Sequence, residues 1–93
     1  MILSYRCKHT EALLASGVCH RDWQSFARIA RRKLPLIDSA QTLNDLKIPP
    51  GNRLEAPRGD RVGQPSIRVN DQYRVCFVWR NGDAYQIEIV DYH

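Results

Sequence analysis

The sequence has no apolar run approaching the ~18–20 residues that a membrane span needs. Its opening, MILSYRCKHT, lacks the apolar segment of a signal peptide. The expectation is a protein with no membrane association. Cysteine is scarce and odd in number: Cys7, Cys19 and Cys76 form no C-x-x-C pair. That argues against a disulfide framework and makes a reducing cytoplasm the expected compartment. A Gly-rich phosphate-cradling loop and a G-x-S-x-G elbow are both missing, as are internal repeats and low-complexity tracts. Two Cys–His neighbours, Cys7-x-His9 and Cys19-His20, do not have the ligand spacing of a structural zinc site. No metal and no cofactor are therefore expected.

What is present fits one modest core. The chain has 93 residues, 43% apolar and 26% charged, which reads as a single globular domain spanning residues 1–93. Its net charge of +4 is uneven. Residues 1–40 hold seven Lys/Arg against three Asp/Glu, whereas residues 41–93 hold seven of each. Much of the excess sits in Arg28, Arg31, Arg32 and Lys33. A basic face of this kind is either solvated or draws a polyanion or an acidic protein.

Segment 2–6, ILSYR, has strand character. Thr10 is a candidate cap for a short helix that Gly17 would end. Asp22 is a candidate N-cap for a longer one. Along that helix Trp23, Phe26, Ala27, Ala30, Leu34 and Ile37 recur at spacings of three and four, which makes one apolar stripe with arginines around it. Pro35 predicts a kink or break, because it removes a backbone donor and disfavours helical geometry at Leu34. Residues 47–65 contain four prolines and three glycines. They read as loop, with room for a short strand at Arg53–Ala56. Residues 66–70 and 73–80 then alternate as strands around Asp71-Gln72, and Asn81-Gly82-Asp83 turns into AYQIEIVDY. The fold class is α+β: two helices ahead of a three-stranded antiparallel meander, covering one of its faces.

Alternation assigns faces. Tyr85, Ile87 and Ile89 share one, which Asp91 and His93 continue in a regular strand. Arg74, Cys76, Val78 and Arg80 alternate with Val75, Phe77 and Trp79. Arg68 and Arg74 fall beside one hairpin, on the face away from the most apolar residues, with Arg58 arriving from the loop. Two adjacent guanidinium groups repel unless an anion separates them, and their planar forks suit phosphate oxygens. The alternative is a pair of solvated arginines on an exposed sheet face.

The stretch PPGNRLEAPRGDRVGQPSIRVNDQYRVCFVWRNGDAYQIEIVDYH resembles the C-terminal half of HigB-type toxins, or plasmid maintenance killer proteins, of the RelE/ParE superfamily. The resemblance is close over residues 49–93 and rests on N-R-L, Arg58-Gly59-Asp60, S-I-R-V-N, R-V-C-F-V-W, G-D-A-Y and the closing V-D-Y-H. It implies a compact RelE-like fold with helices on a small, mainly antiparallel sheet. It also implies the toxin of a type II toxin–antitoxin system: a metal-independent endoribonuclease that cuts mRNA on the ribosome and is held inactive by a HigA-type helix-turn-helix antitoxin. The motif carries the functional positions onto Asp91, Tyr92, His93, Arg58 and Arg74. Departures are Glu55 where many relatives have His, Pro65 where an aromatic or His is common, Tyr73 for Trp and Gln86 for Asp.

Metal-free cleavage requires the 2′-OH to attack the adjacent phosphate, with a base, an acid and cations for the developing charge. His93 is the expected principal proton carrier, since its ordinary pKa lies near ~6.5. Asp91 orients it or acts as base, and Glu55 is a further possible base. Arg74, Arg58 and Arg68 hold the phosphate. Tyr92 stacks on a base or donates a hydrogen bond, and Arg28, Arg31 and Arg32 contact RNA phosphates. Two rival readings are a ParE-like gyrase inhibitor, against which the closing D-Y-H argues, and a non-catalytic module that binds antitoxin or nucleic acid.

Overall fold

The alternating last third folds as a meander. In the computed structural model, which describes residues 1–17, 21–55 and 64–91, β1 (Ser66–Arg68), β2 (Tyr73–Arg80) and β3 (Asp83–Asp91) form an antiparallel sheet in that order. Two helices precede it, α1 (Lys8–Ser16) and α2 (Ala27–Ser39). The β2–β3 connection is a two-residue loop closed by Arg80 opposite Asp83. Asn81 and Gly82 both have positive φ, 54° and 82°. That is the type I′ turn whose twist matches the flanking strands. β1 stops at Arg68, two residues short of the expected Asn70. Asn70 leaves the ladder to make a turn, its Oδ1 accepting the N–H groups of Gln72 (2.9 Å) and Tyr73 (2.7 Å).

One expectation about faces is corrected. Cys76 pairs with Glu88, but Val78 pairs with Tyr85, so β3 carries one extra residue between them. Gln86 is that residue, with φ 53°. The bulge shifts alternation by one. Ala84, Ile87 and Ile89 face the helices, and Tyr85 turns to the other side with Val78 rather than sharing the face of Ile87.

The helices bury their apolar stripe on the sheet. Ala30, Leu34 and Ile37 of α2 are fully buried, together with Leu13 of α1 and Ile67, Val75, Phe77 and Ile87 of the sheet. The Phe26 and Tyr73 rings pack with centroids 4.5 Å apart. α2 runs through Pro35 to Ser39 without a break. Pro35 and Arg31 both lie on the exposed side, where water can satisfy the carbonyl that the proline leaves without a donor. Asp22 does not cap α2: it belongs to a short 3₁₀ turn, Arg21–Trp23, and α2 starts at Ala27.

The N-terminal segment adds to the far edge of the sheet. Ile2 and Tyr5 bridge in parallel to Ala84 and Ile87, with Leu3 N–H donating to the Ala84 carbonyl at 2.8 Å and Arg6 N–H to that of Ile87 at 3.0 Å. Beyond Arg6 the edge would lose its partner, and Thr10 supplies one. It is buried inside α1 rather than capping it, and its Oγ1 accepts the N–H of Ile89 at 3.2 Å. Gly17, at φ 74°, closes α1 as expected, its N–H returning to Leu13 O. Among the described residues no helix is long and apolar enough to cross a membrane.

Candidate functional site

Arg74 is buried, about 7% exposed, which corrects the expectation that its sheet face is open to solvent. A buried guanidinium is stable only where its donors find acceptors. Nε donates to Ser66 Oγ at 2.8 Å, and Nη2 to the Ser66 carbonyl at 3.1 Å and to the Arg53 carbonyl. The wall around it comes from the loop. Glu55 pairs with Ser66 through N–H···O bonds of 2.9 and 3.2 Å in both directions, which sets the 53–55 segment beside β1. Arg53 is left-handed, φ 43°, and its carbonyl meets Arg74. Glu55 Oε2 lies 3.8 Å from Arg74 Nε.

Arg68 stands directly opposite Arg74 in the β1–β2 register. Its Nη2 donates to the carboxylate of Asp71 at the hairpin tip. Arg53, Glu55, Arg68, Asn70, Asp71 and Arg74 together line an open hollow of about 280 Å³. Three guanidinium groups and two carboxylates leave it formally positive, a setting that attracts a phosphodiester. The sequence reading named Arg68, Arg74 and Glu55 for this region. It missed Arg53, although the N-R-L motif contains it, and Asp71, which it read only as a turn residue.

Asp91 stands apart from this hollow. Its partner across the ladder is Tyr73, whereas Arg74 is opposite Val90, so Asp91 is on the helix-facing side and Arg74 on the other. Asp91 is exposed, and Gln72 Nε2 donates to its Oδ2 at 2.8 Å. Arg58, Tyr92 and His93 lie outside the described residues.

The basic residues of α2 form a second region. Arg28, Arg31 and Arg32 are exposed. A methyl group on Gly17 would approach Arg31 Nη1 to 2.9 Å, so that guanidinium lies over the C-terminal end of α1, where the helix dipole favours a cation. Burial, and then the charges of Arg32 and Arg68, hold the Lys33 ammonium below the usual lysine range. Lys33 Nζ donates to Oδ1 of the fully buried Asn52. Asn52 also caps the loop from within, through Nδ2 to Leu46 O at 3.1 Å and Ile48 O at 3.4 Å. Among the described residues no three His, Cys, Asp or Glu side chains gather as a metal site. Cys19 and His20 lie outside the described residues.

Comparison with known proteins places this architecture. Toxin HigB-1 of Vibrio cholerae is 44% identical over 85 residues, covering 90% of either chain. Endoribonuclease HigB of Proteus vulgaris is 37% identical over 98 residues, spanning 100% of both. An uncharacterized protein of Haemophilus influenzae is 38% identical over 59 residues, 61% of this chain and 56% of that one. The family model described as a RelE-like toxin of the type II toxin–antitoxin system HigB matches residues 3–93. With helices on a small antiparallel sheet and a guanidinium-lined hollow at its edge, this chain belongs to the HigB-like family of RelE-like toxins.

Proposed function

We propose that the chain is an endoribonuclease that cuts mRNA on the ribosome, in the cytoplasm, and so arrests translation and growth. The observation that carries this reading is the hollow in which Arg53, Arg68 and Arg74 converge, and the name of the Proteus vulgaris relative supports it. In this reading the 2′-OH attacks the adjacent phosphorus, and the developing charge is met by Arg74, Arg68 and Arg58. Arg74 is held ready by Ser66 and the Arg53 carbonyl, so little reorganisation is needed when the charge forms. His93 carries the proton to or from the reacting oxygens, Asp91 orients it or serves as base, and Tyr92 contributes a hydrogen bond or a stacking surface. Glu55 is a possible base at the rim. The chemistry invokes no metal or cofactor. The antitoxin partner that the family implies is read as a HigA-type helix-turn-helix protein.

A second reading has one observation in its favour. Glu55 stands against Arg74 at 3.8 Å, and its negative charge opposes a phosphate there, which fits a weakened nuclease acting mainly as a binding module. Inducing the chain without its antitoxin and mapping mRNA ends by primer extension separates the readings. Discrete cleavages that vanish in His93→Ala are expected. Growth arrest with intact mRNA points instead to a ParE-like target, and absence of toxicity to the weakened module.

A further inference from the structure

The phosphate seat already contains an anion. Arg68 is about one-third exposed, and its partner Asp71 is 98% exposed, three residues away at the tip of the β1–β2 hairpin. The tip is held in shape by Asn70, whose side-chain oxygen takes the N–H groups of Gln72 and Tyr73. The Asp71 carboxylate is thereby delivered to the one guanidinium in the hollow that stands directly across the ladder from Arg74. Arg74 is occupied by fixed acceptors of the fold, whereas Arg68 is occupied by a side chain in open solvent. Solvent-exposed ion pairs are weak and exchange readily.

We propose that Asp71 is a tethered stand-in for the RNA phosphate. It occupies Arg68 until a phosphodiester displaces it, and so sets how strongly the hollow takes RNA that nothing else positions. This rests on reading the hollow as the RNA phosphate site. No covalent step is involved: one carboxylate leaves a guanidinium and one phosphate oxygen takes its place. RNA held by further contacts pays the exchange easily, and free RNA competes for Arg68 with an anion whose local concentration is fixed by the hairpin.

The test uses the full chain and a short single-stranded RNA with every 2′-oxygen methylated, which blocks cleavage. Titration is followed by the Arg68 Nε–H and backbone amide NMR signals at low and raised salt. Asp71→Asn is expected to tighten binding about two- to fivefold at low salt, with the gain shrinking as salt rises. The gain should vanish when Arg68→Ala is also present. Equal or weaker binding by Asp71→Asn overturns the proposal. So does a gain that persists with Arg68→Ala, since that is a general charge effect. Wild type that binds RNA as well as Asp71→Asn removes only the tethered anion. Failure of the wild type and both variants to bind removes the phosphate-site reading with it.

Discussion

Arg74 and Asp91 lie on paired strands but face opposite sides of the sheet, because Arg74 is opposite Val90 and Asp91 opposite Tyr73. The hairpin tip connects the two sides. Asp71 lines the hollow, and the next residue, Gln72, donates to Asp91 at 2.8 Å. The hollow and the Asp91 carboxylate are therefore joined through two consecutive side chains.

Gln72→Ala should remove one hydrogen bond from Asp91 and lower the cleavage rate by roughly 2- to 10-fold. Asp91→Ala should lose more, within the ~10²–10⁴ span of an acid–base group. The double variant should match Asp91→Ala alone, since coupled residues do not add. Single-turnover cleavage of ribosome-bound mRNA measures all three. Additive losses would show that Gln72 acts by some other route.

Gln86 holds the bulge at φ 53°, a region where most side chains are strained. Gln86→Gly should raise unfolding free energy by about 0.5–1 kcal/mol, and Gln86→Val should lower it by at least ~1 kcal/mol. Urea melts read both. A destabilised glycine variant would mean that the Gln side chain matters more than the backbone.

This residue also marks what the sequence could not reveal. The bounds of β2, the Asn81-Gly82 turn and the apolar stripe of α2 were legible, because alternation, turn chemistry and helical spacing are local. A bulge at glutamine has no such signature, and strict alternation put Tyr85 on the wrong face. The burial of Arg74 was hidden for a different reason: its cover is the 53–55 segment, a loop whose docking depends on long-range pairing with Ser66. Asn52 opens the N-R-L motif, but its structural role could not be read from it. Its role depends on a lysine nineteen residues earlier reaching its side chain.

Acid should weaken the turn after α2. The N–H groups of Gln41 and Thr42 hold the Asp45 carboxyl below its usual range. A lowered folded pKa stabilises the fold above the unfolded value of about 3.8, and the contribution fades as pH falls from there through the folded value. Asp45→Asn should be less stable than wild type at neutral pH, with the gap closing below about pH 4. Urea midpoints from pH 2 to 7 test the sign; a constant gap would contradict it.

The exposed arginines of α2 should contribute affinity without sequence preference. Arg28→Gln with Arg32→Gln is expected to weaken ribosome binding, and to flatten its salt dependence by about two units of log–log slope if each meets a phosphate. Sedimentation at several salt concentrations checks this. Unchanged binding would leave these residues as solvated surface. Arg31 is omitted because its guanidinium lies against the end of α1.

Strand β3 fills a gap between β2 and the opening segment, both of which precede it in the chain. Ser4 and Gln86, eighty-two positions apart, share a hydrogen bond, and closing a chain segment of that length costs entropy that local contacts cannot offset early. During synthesis the first residues leave the exit tunnel without a partner, and they dock only after Asp83–Asp91 has emerged. The same late strand carries Asp91, so a half-made chain has neither a finished sheet nor that carboxylate.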